Sequence, residues 1–275
     1  QERPASGERV VDFGTAAIFP GAVNTHTHSF QTLVRGRVDD SGLDEWLRIV
    51  YAASASYGAE ESYVGAAATF AEMLLTGTTT AADFFYLNGR GNQNAKAVIQ
   101  AGQDLGIRLV MGRTFMDAPW GGEAVQESVD TAVGRFRELR AEYDSNPSVE
   151  VSPAPHSIYG ASRPMIAAAA QLADEYDTLW YMHLSDSEKS SQSIIDKHGK
   201  RSAFLLQEWG VLGKRLVGIH GMWLSEEELG VLSEHDVAIA YNPASNLFLG
   251  EKILDLPHLW QKGIRVGIAT DGAAS

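Results

Sequence analysis

Residues 19–30 read "FPGAVNTHTHSF". In a β-strand the side chains at i and i+2 point to the same face, so His26 and His28 would aim both imidazoles at one spot. Two aligned imidazoles can hold a metal ion. A lone His-x-His also occurs in ordinary cores, so the remaining ligands have to come from elsewhere in the chain. There are only eight histidines in 275 residues, and where the other six fall decides the reading.

Short β-branched or apolar runs alternate with segments of helical period along almost the whole chain, which reads as repeated βα units around a parallel sheet. Eight candidate strands stand out: "AVNTHTH", "TTTAADF", "RLVMGRTF", "VEVSPAP", "TLWYMHL", "RLVGIHG", "VAIAYNP" and "RVGIATDG". Eight such units predict an α/β fold of the (β/α)8, or TIM, barrel type. Between the strands, helical stripes are expected at Leu43, Trp46, Leu47 and Val50, and at Val64, Ala67, Ala68, Ala71, Leu74 and Leu75, with Gly77 as a stop. A third runs Val125, Val129, Val133, Phe136 and Leu139. Ser162 before Pro164, and Ser225 three residues before Glu228, are helix-start signals. Residues 9–21, "RVVDFGTAAIFPG", read as a short strand pair leading into the barrel. The sequence stops after "TDGAAS", so an eighth helix is expected only in further chain.

Composition narrows the chemistry. There is no cysteine, so a metal has to be held by imidazole and carboxylate. The formal net charge of −13 would repel a phosphate backbone, which argues against a nucleic-acid polymer and leaves a neutral or cationic small molecule as partner. No apolar run approaches a membrane span, and residues 1–10 have no apolar signal-type core. A cytoplasmic enzyme, compatible with a homo-oligomeric assembly, is the expectation.

In barrels of this type the active site lies where the strands end, so polar residues at strand C-termini are the informative ones. Strand one ends at His26 and His28, strand five at His183, strand six at His220 and strand eight at Asp271. Four of eight histidines and one aspartate would meet at one mouth. His198, His235 and His258 fall on helical or loop segments and read as ordinary satisfied polar residues.

The runs "PGAVNTHTH", "MHLSD", "GIHGMWLSEEEL", "YNPASNLFLG" and "ATDGAAS" resemble the amidohydrolase superfamily, most closely its aminohydrolase branch of guanine, S-adenosylhomocysteine, isoxanthopterin and triazine deaminases. The resemblance covers residues 10–275. It implies a distorted (β/α)8 barrel over 21–275 and, over residues 1–20, a remnant of an N-terminal β-sandwich; the last helix and C-terminal sandwich strands would belong to a longer polypeptide. It also implies one divalent metal, zinc first with iron or manganese as alternatives. The implied ligands are His26, His28, His183 and Asp271, with His220 beside the metal orienting a water.

Such chemistry needs a group to accept the water's proton, for which Asp271 is placed, and a second carboxylate to protonate the leaving nitrogen, because an amide ion is too basic to leave unprotonated. In the branch it resembles, that carboxylate is a Glu three residues after the strand-five His. Here position 186 is Asp, and Glu188 is the alternative. On the substrate side the candidates are His156, Gln31 and Trp46, with Phe30, Phe84, Phe85 and Tyr86 suited to stacking on a flat ring.

The expected function is therefore metal-dependent hydrolytic deamination of an amino-substituted N-heterocycle of purine, pterin or triazine type. Two alternatives stay open. The run "HTHSFQ" and the stretch "DFFYLN" also resemble formiminoglutamate deiminase, an iminohydrolase whose acidic substrate would need a basic anchor such as Arg35, Arg37, Arg90 or Arg113. A non-catalytic metal-binding barrel fragment is the other.

Overall fold

The computed structural model describes residues 10–37, 42–250 and 252–273. All eight expected strands are present: β1 Ala22–Thr27, β2 Thr78–Phe85, β3 Arg108–Phe115, β4 Val149–Pro155, β5 Trp180–Leu184, β6 Leu216–His220, β7 Ala238–Tyr241 and β8 Val266–Ile268. Every neighbouring pair is parallel, and helices fill the crossovers, as parallel strands require. The strands form two four-stranded sheets, β1-β2-β3-β4 and β5-β6-β7-β8.

The fold is therefore TIM-barrel-like with the ladder interrupted at two seams. Scattered contacts cross each seam in place of a continuous ladder, and predicted site residues make several of them. Between β4 and β5 the backbone N–H of His183 donates to the carbonyl of His156 at 3.0 Å, and between β8 and β1 the N–H of Asp271 donates to the carbonyl of His26 at 3.0 Å. A parallel bridge pairs Thr27 with Asp271.

The helix starts read from sequence are realised. Ser162 Oγ accepts from the N–H of Met165 at 3.4 Å, opening Arg163–Glu175 behind Pro164. Ser225 and Glu228 form a reciprocal capping box at the start of Glu226–Glu234. In the first stripe Trp46 and Val50 are buried, while the side chain of Leu43 lies outside the described residues. The third stripe begins only at Val129, with Val125 buried in the loop before it.

The helix Ala59–Leu75 turns a different face inward than its apolar stripe predicts. Ser62, Gly65, Ala66, Thr69, Phe70 and Met73 are buried, whereas Val64 and Leu75 are exposed. The reason is close approach: a Cβ on Gly65 would lie 3.0 Å from the Cα of Phe30, and Thr69 donates to the carbonyl of Ser29. This helix packs on the 3-10 turn Ser29–Val34 that follows the His-x-His pair, and small side chains let it come near.

The strand pair expected over residues 9–21 does not form over the described residues 10–21. A turn holds Gly14 N–H to Asp12 Oδ1 at 2.7 Å, and Val10, Val11, Phe13, Ile18 and Phe19 are exposed. An isolated pair of strands with no sheet to lie on is marginal in water.

Candidate active site

The C-terminal strand ends bring His26, His28, His183, His220 and Asp271 together. Two of these positions, and one residue beside them, depend on unusual backbone. His220 and Asp271 have φ of +74° and +65°, and Ser185, just past β5, has +48°. Non-glycine residues held in the left-handed region store strain and concentrate at functional sites.

The hydrogen bonds assign most of the ring nitrogens. His28 Nδ1 lies 2.7 Å from the carbonyl of Phe84, and His183 Nδ1 lies 2.9 Å from the carbonyl of His156. A carbonyl only accepts, so each ring carries its proton on Nδ1 and turns the lone pair of Nε2 into the site. Those two Nε2 atoms face each other at 3.3 Å. Asp271 Oδ1 stands 3.1 Å from His26 Nε2 and 3.5 Å from His28 Nε2, while Ser245 Oγ donates to Oδ2 at 2.6 Å.

Burial lowers the basicity of His26 and His183 and takes His28 down to about 3. These imidazoles are neutral at ordinary pH, the form a metal ligand needs. Burial pushes Asp271 the other way, but the hydrogen bond from His26 and the neighbouring imidazoles override it and hold the carboxylate well below its usual range. Two neutral imidazole lone pairs at van der Waals distance beside a carboxylate repel one another unless a cation lies between them. The ligand atoms of His26, His28 and Asp271 all fall within 4.8 Å of one another, as do those of His26, His183 and His220, so the donor set fits a divalent ion.

His220 is held from behind. The amide nitrogens of Asn242 and Asn246 both lie 3.2 Å from its Nδ1, which places its proton on Nε2, toward the site. The Oδ1 atoms of both asparagines are buried without a partner. Asn242, Ser245 and Asn246 come from the run "YNPASNLFLG" after β7, to which the sequence reading gave no roles.

Above this cluster opens a pocket at the mouth formed by the strand ends. His156, Gln31 and Trp46 all line it. Gln31 already spends both ends of its amide, donating to Tyr86 Oη at 3.0 Å and accepting from the N–H of Ala273 at 3.2 Å. Trp46 Nε1 is buried without a hydrogen-bond partner. Asp186 also lines the pocket, whereas Glu188 is exposed at the start of the helix Glu188–His198 and does not.

Of the four aromatic candidates only Tyr86 reaches the pocket. Phe30 and Phe85 are core, and Phe84 lies under the site with its ring 4.5 Å from that of His183. Tyr51 and Tyr159 do line the pocket, and they went unread because they sit in a helix and a loop whose place depends on other strands. Asp83 was also missed. It is fully buried, accepts from both the N–H and the hydroxyl of Ser29, and so clamps the turn after His28; burial raises it to about 6 against those hydrogen bonds.

No Lys or Arg is among the described residues lining this pocket. Arg113 is fully buried in an ion pair with Glu127, Arg35 pairs with Glu72 at the surface, and Arg37 and Arg90 are exposed. His198, His235 and His258 lie away from the pocket.

The profile described as Amidohydrolase family matches residues 17–275. The chain belongs to the amidohydrolase family. It is 33% identical over 276 aligned residues to a 5'-deoxyadenosine deaminase of Methanothermobacter thermautotrophicus, covering 99% of this chain and 62% of that protein. It is likewise 33% identical over 271 residues to a 5-methylthioadenosine/S-adenosylhomocysteine deaminase of Thermococcus sibiricus, covering 98% and 62%. Among solved structures, a zinc-bound adenosine deaminase from Xanthomonas campestris superposes with a TM-score of 0.84 at 28% identity, over 93% of this chain and 56% of that one. The chain thus spans about three-fifths of the length of the curated relatives it matches.

Proposed function

We propose that this protein is a metal-dependent hydrolytic deaminase of an amino-substituted N-heterocycle, of purine type first and pterin or triazine type next. The observation that carries the reading is the pair of inward-facing lone pairs on His28 and His183 beside Asp271, at the floor of a pocket that Asp186 also lines. The named activities of the relatives agree with it.

His26, His28, His183 and Asp271 would hold one divalent ion, zinc first, with iron or manganese also compatible with these donors. When bound, such an ion acidifies water and supplies a nucleophile near neutral pH. The chain's own residues do the rest. Asp271 takes up the proton of the attacking water. His220 presents its Nε2–H to the oxygen that adds to the ring carbon, and the two asparagines keep that proton on Nε2. Asp186 receives the water's proton and carries it to the departing nitrogen, which leaves as ammonia. The absence of a basic side chain among the described lining residues favours a neutral or cationic ring over a glutamate-type substrate.

An ammonia-release screen of the full-length, metal-loaded protein tests this, with purine nucleosides, free purines, pterins, triazines and formimino compounds as substrates. Release from at least one amino-heterocycle is expected. Release from formimino compounds alone would move the protein to the iminohydrolases, and no release from any of them would leave a metal-binding barrel without this catalysis.

A further inference from the structure

Asp186 owes its place to an abrupt turn. The chain leaves β5 at Leu184, Ser185 adopts φ +48°, and the carboxylate of Asp186 comes back over the strand end to line the pocket. Its two oxygens are treated differently. Oδ1 is taken by donors of its own turn, the N–H of Ser187 at 2.9 Å and the hydroxyl of Ser190. Oδ2 receives the hydroxyl of Tyr159 at 2.8 Å.

Tyr159 comes from a different strand end, the loop after β4. Its ring stands 5.6 Å from that of His156 and 6.2 Å from that of Trp120, and Trp120 Nε1 donates to its carbonyl at 3.3 Å. The phenol is therefore anchored independently of the segment that carries Asp186. Burial and the neighbouring carboxylate raise the phenol well above its ordinary range, so it stays a donor across working pH.

We infer that Tyr159 is the positioning residue for Asp186: its hydroxyl fixes which way the carboxylate faces. This rests on the deaminase reading, in which Asp186 carries the proton to the leaving nitrogen. An aspartate with only Oδ1 tied can pivot about that oxygen, so the oxygen that meets substrate would lose its direction. Tyr51 and His156 are the other titratable groups close to this pair; burial takes His156, at the end of β4, down to about 4, so it is neutral at working pH, and pushes the Tyr51 phenol up.

The test compares Tyr159→Phe, Asp186→Asn and the double variant in the full-length, metal-loaded protein, with 5'-deoxyadenosine as probe substrate. For Tyr159→Phe, metal content and melting temperature should stay unchanged and kcat should fall about tenfold at nearly constant KM, the scale of one charge-assisted hydrogen bond. The double variant should be no slower than Asp186→Asn alone, because Tyr159 acts through Asp186. Independently of turnover, the crystal structure of Tyr159→Phe should show the Asp186 carboxylate turned about Oδ1, with Oδ2 away from the side chain at position 159. Losses that multiply in the double variant, a rise in KM alone, or an unmoved carboxylate would overturn the inference. Full activity of Asp186→Asn would instead remove the reading beneath it.

Discussion

Two buried polar clusters in this molecule look alike in composition and differ in how they are satisfied. Around Arg113, with no exposure at all, Nε donates to Asn92 Oδ1 at 2.9 Å, and the two terminal nitrogens grip both oxygens of Glu127 at 2.8 and 2.9 Å. Arg135 closes the set on Glu127 at 2.7 Å. Arg113 and Glu127 thus satisfy each other as they stand, although Asn88 Oδ1 and Thr114 Oγ1 beside them are buried without partners. At the strand ends, by contrast, two imidazole lone pairs confront each other at 3.3 Å, and Asn242 Oδ1, Asn246 Oδ1 and Trp46 Nε1 are buried without partners. Buried polar groups normally find partners, so a cluster that cannot satisfy itself is shaped for something else. The first cluster ties loops together; the second is made for a ligand.

Breaking each cluster should therefore damage different properties. His183→Ala removes a donor that nothing inside the protein replaces, and metal content measured by elemental analysis should fall together with turnover to background. The fold should survive, since the ring of His183 bonds only to a carbonyl and to other site groups. Arg113→Ala leaves Glu127 buried beside Arg135 alone, and breaking a buried pair on one side costs roughly 3–5 kcal/mol of stability. Its denaturant midpoint should drop sharply while the fraction still folded binds metal normally. A metal-free His183→Ala protein with full activity, or an Arg113→Ala protein that loses metal but not stability, would erase the distinction.

Within the second cluster the carboxylates can be ranked. Asp186→Asn keeps shape and removes basicity, so it should retain metal and lower kcat by about 10²-fold or more, the usual range of general acid–base catalysis. Glu188→Gln alters an exposed side chain outside the pocket and should change kcat little. The reverse ranking in steady-state kinetics would transfer the proton-carrying role to Glu188.

How much of this was legible in the sequence follows from how far each feature reaches. All eight strands could be read because a buried parallel strand declares itself within a few residues, and His26, His28, His183, His220 and Asp271 could be read because strand ends are where such a fold gathers its chemistry. The inward face of Ala59–Leu75 could not. It is chosen by the backbone of Phe30, which sits 35 positions before Gly65 in the chain, yet its Cα lies only 3.0 Å from where a Cβ on Gly65 would be. The same holds for Asn242 and Asn246 behind His220 and for Tyr159 against Asp186, whose roles exist only once separate strand ends are brought side by side. The aromatic run after β2 shows the limit of composition, since Phe84, Phe85 and Tyr86 are neighbours in sequence, yet only Tyr86 lines the pocket.

His156 gives the smallest and most discriminating test, because it touches both the metal half and the substrate half of the site through different atoms. Its carbonyl receives the backbone N–H of His183 at 3.0 Å and the ring Nδ1–H of His183 at 2.9 Å. Its ring does neither: Nδ1 lies 3.0 Å from Ser157 Oγ, Nε2 lies 3.4 Å from Tyr51 Oη, and the ring lines the pocket. Burial takes the imidazole down to about 4, so at neutral pH it meets a ligand uncharged, as a hydrogen-bonding ring rather than a cation. His156→Ala deletes the ring and keeps the carbonyl. The orientation of His183 and the metal content should thus persist, while kcat/KM falls about tenfold, mostly through KM, as expected for one lost hydrogen bond to substrate. Loss of metal in this variant would mean that the ring, and not the main chain, holds His183 in place, and that the two halves of the site cannot be separated at this residue.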